Sequence, residues 1–150
     1  MSILVRLQAE SFDPGKESNL FLAKNTLAGA VVTFTGIVRS SKENPILSMT
    51  LEHYPELAFS QLQDFATLAQ QRFNLTKTTL IHRYGELFPG DPIVQVMTMA
   101  SHRREAFEGA QFVMDYLKTS APFWKKELSA NGESWVEATT IDDKAKQRWQ

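Results

Sequence analysis

The chain has 150 residues, of which 43% are hydrophobic and 22% charged, with 16 Lys+Arg against 17 Asp+Glu and no cysteine. That length fits one domain over residues 1–150, the apolar content excludes a wholly disordered chain, and a formal charge of −1 argues against nucleic acid as a partner. The missing cysteine excludes disulfides, thiolate metal sites, iron–sulfur clusters and a cysteine nucleophile; no apolar run reaches about 18 residues and Met1 to Arg6 lacks a secretory pattern, so no membrane association is expected and the cytoplasm is the expected compartment.

Residues 2–9 alternate loosely and predict an opening strand. Asp13-Pro14-Gly15-Lys16 opens a short helix that extends to about Asn25, with Leu20, Phe21 and Ala23 as its apolar residues. Ala30 to Arg39 is rich in β-branched and aromatic residues and predicts a strand, with Gly36 marking a bulge or a close backbone approach. Ser40 to Pro45 is a polar loop, and Ile46 to Tyr54 alternates again, as a hairpin partner of the preceding strand would. Pro55 starts a helix whose Ala58, Leu62, Phe65, Ala66, Ala69 and Phe73 share one face. Thr76–Leu87 and Ile93–Ala100 predict two strands joined by the turn Phe88-Pro89-Gly90-Asp91-Pro92. A helix from about Arg103 to Lys118 should stop at Pro122. Phe123–Leu128 and Ser134–Ala138 form a last strand pair around Asn131-Gly132, and the polar tail from Asp142 to Gln150 reads as loose or weakly helical. The order β-α-β-β-α-β-β-α-β-β predicts an α+β domain built on antiparallel pairs.

Three clusters could carry chemistry. Ser101-His102-Arg103-Arg104 falls where a strand ends and a helix begins, which is either a capped, solvated helix start or a seat for an anion. Lys118 is seven positions before Lys125 and its neighbour Lys126, and a turn at Pro122 would let the two ammonium groups meet in one cavity, although surface lysines look the same. Arg39 ends the strand that carries Phe34 and Gly36. The histidines His53, His82 and His102 show no metal-ligand spacing, and the first two fall in strand patterns and read as packed structural residues. No phosphate loop and no nucleophile elbow is present.

Several of these segments, in order, resemble the large, catalytic subunit of molybdopterin synthase. They are Ala30–Arg39, Leu51-Glu52-His53-Tyr54-Pro55, Ile81–Leu87, Ser101-His102-Arg103 and, most specifically, Met114–Glu127 with its Lys-Thr-Ser-Ala-Pro-Phe-Trp-Lys-Lys-Glu. The resemblance implies an α/β hammerhead-type domain with additional antiparallel β structure. It implies a sulfurtransferase that converts cyclic pyranopterin monophosphate to molybdopterin, with sulfur from the C-terminal thiocarboxylate of a small ubiquitin-like partner subunit. It further implies a homodimer within a heterotetramer, no cofactor and no metal. Lys118 and Lys125 match the catalytic positions; Ile37, Val38, Arg39, His102, Arg103, Lys118, Lys125, Lys126 and Glu127 match substrate-binding positions. Ile37 and Thr139 stand where some relatives carry a basic residue, which removes anion contacts without touching the reaction. A non-catalytic, homo-oligomeric module that binds an anionic metabolite would share this composition. A metal-dependent hydrolase using the histidines and a pyridoxal-phosphate enzyme using one lysine are further alternatives.

Overall fold

A computed structural model describes residues 2–120, 123–136 and 140–150, without the side chains of 140–143. The elements are β1 (Ser2–Gln8), α1 (Pro14–Leu22), β2 (Ala30–Ile37), β3 (Ser48–His53), α2 (Pro55–Arg72), β4 (Lys77–Arg83), β5 (Gly85–Leu87), β6 (Pro92–Ala100), α3 (Arg103–Ser120), β7 (Phe123–Ser129), β8 (Gly132–Val136) and α4 (Thr140–Gln147). Pro122 as the helix stop, the expected strand end at Glu137–Ala138, and Thr139 lie outside the described residues.

Among the described residues, two four-stranded sheets organise the fold, in the orders β1-β4-β6-β2 and β5-β3-β7-β8. The first is mixed: β1 runs parallel to β4, while β4–β6 and β6–β2 are antiparallel. Strand alternation in β6 feeds two layers. Val94, Val96 and Ala100 join the core under α2 and α3, whereas Met97 and Met99 pack with Phe21 of α1 on the other side. Asp13 caps α1 by accepting from the backbone N–H groups of Gly15 (3.0 Å) and Lys16 (3.2 Å). At its far end Lys77 donates to the Phe21 carbonyl (3.0 Å), placing a cation against the negative end of the helix dipole.

Two expectations are corrected. Ile46–Tyr54 is not the hairpin partner of β2. The partner of β2 is β6, and β3 lies between β5 and β7 in the second sheet. The cause is a separate apolar cluster of Val38, Ile46, Met49, Leu51 and Leu87, which draws β3 and β5 away from the main core. The single strand expected over Thr76–Leu87 is two strands, β4 and β5, divided at Tyr84, with Gly85 at φ +86° supplying a backbone state that most side chains resist. The expectation at Gly36 holds: the β2–β6 register shifts between Gly36 and Ile37, and a Cβ at Gly36 would lie 2.7 Å from Val94 Cγ1.

The tail is also more ordered than its composition implies. It forms α4, and Trp149 then packs edge-on against Phe73 (5.5 Å) and Phe112 (5.6 Å). Its indole Nε1 donates to Asp115 Oδ2 (2.6 Å), and the Arg72 guanidinium sits 5.6 Å from its ring while donating to its carbonyl (2.8 Å). Trp149→Ala is therefore expected to cost about 3 kcal/mol, the lower end of the range for losing a large aromatic because the ring is half-buried. Urea unfolding monitored by circular dichroism measures this, and an unchanged midpoint would mean that the tail contributes no docking energy.

Candidate active site

Four elements meet at one end of the first sheet. β4 brings His82, β3 brings His53, β7 begins with Phe123, and the last turn of α3 carries Lys118. The His82 ring stacks on Phe123 at 4.2 Å and 13°, while His53 lies 6.1 Å from the same phenyl ring and 4.1 Å from Tyr84. His53 faces Phe123 across the β3–β7 ladder and Leu51 faces Lys125, so alternation places Lys125 on the sheet face that carries Phe123.

Burial and the nearby positive charges of Lys118 and Lys125 push the His82 pKa down to about 4, against a raising contribution from its hydrogen bond to the Arg83 carbonyl. Near neutral pH the ring is therefore uncharged. The Arg83 oxygen lies 2.7 Å from Nδ1 and can only accept, so Nδ1 carries the proton and the Nε2 lone pair is left as an acceptor. Burial also lowers the His53 pKa.

The remaining candidates divide by strand alternation and by helix length. Val38 is tied to the Phe88–Pro92 turn by hydrogen bonds to the Asp91 carbonyl (2.9 Å) and from Gly90 N–H (2.9 Å). Its side chain is core, so only its backbone can meet a ligand; Ile37 and Arg39 on either side are exposed. Gly36 lies across Val94 from His82, so Arg39 is at the same end of the sheet as the lysine pair. Lys126 points to the opposite face from Lys125. There it is 3.9 Å from Glu52, 3.6 Å from Glu133 and 5.0 Å from the Trp135 ring. A shallow cleft of ≈ 280 Å³ on that side is lined by Glu52, His53, Tyr54, Trp124 and Trp135. Glu127 shares the Lys125 face by alternation and accepts from Asn44 Nδ2 (3.3 Å).

His102 and Arg103 are exposed at the start of α3, fifteen residues from Lys118. That is about 22 Å of helix. A single copy thus brings Lys118 and Lys125 to His82, with the Arg39 segment at the same end of the sheet, but leaves His102 and Arg103 at the far end. Sequence reasoning passed over His53, His82 and Tyr84 as site neighbours. The available signal was an imidazole at or near the end of each strand, just before the Tyr-Pro and Tyr-Gly steps.

The sequence profile described as MoaE protein matches residues 7–120. The chain belongs to the MoaE family. A molybdopterin synthase catalytic subunit from Pseudomonas aeruginosa is 47% identical over 147 residues, covering 97% of this chain and 98% of that protein. The one from Escherichia coli K12 is 47% identical over 141 residues, covering 93% of each. The solved MoaE protein of Burkholderia ambifaria superposes with a TM-score of 0.83 at 43% identity, covering 99% of this chain and 98% of that one. The fold is shared with a protein–protein complex of subunits 1 and 2 of the Helicobacter pylori molybdopterin-converting factor, at a TM-score of 0.71 and 21% identity, covering 90% of each chain. Among the described residues of this MoaE-family chain, no group of three His, Cys, Asp or Glu could hold a metal, and no helix is long and apolar enough to cross a membrane.

The buried neutral imidazole makes stability depend on pH. His82 titrates near 6.5 when unfolded and near 4 when folded, so the unfolded chain binds the extra proton first. Its contribution is full above pH 6.5 and is lost as pH falls towards 4, by about 3 kcal/mol. His82→Asn, whose amide can still donate to the Arg83 carbonyl, should flatten that acid limb in urea midpoints measured from pH 7 to pH 4. An acid limb as steep as that of the parent chain would show that His82 is not its source.

Proposed function

We propose that this MoaE-family chain is the catalytic subunit of a molybdopterin synthase, a sulfurtransferase that converts cyclic pyranopterin monophosphate to molybdopterin. Sulfur arrives as the C-terminal thiocarboxylate of a small ubiquitin-like partner subunit. The observation that carries this reading is the approach of Lys118 and Lys125, from separate elements, to one buried, uncharged histidine. Full-length likeness to proteins named molybdopterin synthase catalytic subunit supports it, and so does the likeness to the solved molybdopterin synthase of Staphylococcus aureus, at 26% identity and a TM-score of 0.79 over 88% of this chain and 96% of that one. The chain has no cysteine to hold a persulfide, so the sulfur must come from outside. Substrate phosphate and donor tail are both anions, and charge-assisted hydrogen bonds to them are strongest in a confined pocket. We read residues 1–150 as one synthase domain acting in the cytoplasm.

In this mechanism Lys118 takes the acid–base or covalent role beside the thiocarboxylate, and Lys125 stabilises negative charge on the substrate as sulfur attacks and the ring opens. A histidine that stays neutral accepts from an ammonium group without adding a third positive charge. Arg39, His102 and Arg103 hold the cyclic phosphate and the pterin, with the backbone around Ile37–Val38 and Glu127 at the pocket edge. Lys126 bears on the pocket only from the opposite sheet face. The helix length between Arg103 and Lys118 supports a site completed by a second copy, in which His102 and Arg103 of one chain serve the lysines of the other.

Single-turnover assays with thiocarboxylated partner should show near-complete loss of product for Lys118→Ala; full activity would remove Lys118 from the mechanism. Arg39→Ala and Arg103→Ala should weaken substrate binding in titrations, and unchanged affinity would refute the seat assignment. Co-expressed Lys118→Ala and Arg103→Ala chains, each impaired alone, should regain about a quarter of parental activity, because random pairing leaves that share of sites intact. No recovery would place both residues in one copy's site or neither.

A further inference from the structure

The second sheet has one covered face and one open face. Met49 and Leu51 of β3 turn inward with Val38, Ile46 and Leu87. Strand alternation therefore turns Glu52, Trp124, Lys126 and Trp135 to the other side. Among the described residues, α1, α2 and α3 pack mainly on the first sheet and leave this outer face to solvent. Trp124 is 43% and Trp135 58% exposed, as is Tyr54 beside them. Large aromatics clustered on an open surface mark a place where a protein meets a partner. The face is also acidic. Glu86 lies opposite Thr50 and Glu133 opposite Leu128, so three carboxylates with Glu52 share it with one ammonium group, that of Lys126. The inward face of the same strand carries Lys125.

Lys126 shows which chemistry this face recognises. Its Nζ lies 5.0 Å from the Trp135 ring centroid, 3.6 Å from Glu133 and 3.9 Å from Glu52. An indole and two carboxylates thus surround one cation. The neighbouring cleft of ≈ 280 Å³ repeats the pattern: Trp124, Tyr54 and Trp135 supply aromatic walls and Glu52 a carboxylate. Tyr54 meets Trp124 edge-on at 5.0 Å, which fixes the indole. Burial lowers the pKa of His53, the remaining wall residue, so its ring adds no positive charge near neutral pH. We propose that the outer face of the second sheet docks a basic segment of a partner protein, with an arginine side chain entering the cleft against Trp124 and pairing with Glu52. Arginine suits the cleft because its planar guanidinium stacks on aromatic rings while its donors reach a carboxylate. Charge selects the occupant. The tail of the sulfur donor is an anion and is drawn to the Lys125 side of β7. Two copies of this face would oppose like charges. The proposal goes beyond the synthase reading and does not depend on it.

The test uses the full chain and a fluorescein-labelled nona-arginine peptide, with binding read from the anisotropy of the peptide. Saturable binding at low ionic strength should weaken with added salt. It should weaken by about tenfold in Glu52→Gln and in Trp124→Ala, both changes at exposed side chains. A nona-glutamate peptide should not bind. Equal affinity of the parent and both variants for nona-arginine overturns the proposal, and so does binding of nona-glutamate as tight as that of nona-arginine. Two further results overturn it by giving the face to another occupant. One is loss of the bound peptide when the small subunit is added to saturation. The other is self-association in sedimentation that Trp124→Ala abolishes, which would seat a second copy there. None of these readouts needs turnover, so absence of sulfur transfer would refute the synthase reading and leave this surface standing.

Discussion

The Arg83 guanidinium holds together the point on which the rest of the structure turns. It is almost fully buried, donates through Nε (3.1 Å) and Nη2 (2.9 Å) to the Ala9 carbonyl, and keeps Nη1 3.8 Å from Asp91. A buried cation is tolerated only when its donors are satisfied and a counter-charge is near. One side chain thus ties the exit of β1, the end of β4 and the turn before β6 together. Immediately after it, Tyr84 donates its N–H to the Gln8 carbonyl (3.0 Å), and Gly85 redirects the chain into the second sheet. His82, Tyr84 and, through the Asp91 turn, Val38 and Arg39 all take their positions from this handover.

The electrostatics of the site follow from that geometry. Two lysines approach an imidazole stacked on Phe123, and the cheapest response of the buried ring is to stay neutral. The same strand that presents Lys125 turns Lys126 away to Glu52, Glu133 and Trp135. Two adjacent lysines therefore have different environments because alternation in a strand is strict.

Helix α3 does two things at once. Its apolar stripe of Ala106, Ala110, Val113, Met114 and Leu117 closes the main core, and its length sets a fixed spacing between Arg103 and Lys118. A rigid rod cannot bring its own ends together. The tail strengthens the rod from outside, since Asp115 binds Trp149 one turn before Lys118.

Much of this was legible in the residues. Helical periodicity located α2 and α3, β-branched runs located β2 and β6, Gly36 marked its bulge, and the Met114–Glu127 segment pointed to the lysine pair, because local patterns report local structure. Strand partners were not legible. Ile46–Tyr54 alternates in the same way whether it pairs with β2 or with β7, and only competition between two apolar clusters decides. The tail looked polar because its one anchoring ring, Trp149, finds its aromatic partners on α2 and α3, far away in sequence. The sequence by itself determined which side chains could carry charge, cap helices and fill a core. The tertiary structure alone decided that His82 and His53 stand with Lys118 and Lys125 while His102 and Arg103 do not, because distance between residues remote in sequence is set by how sheets and helices pack.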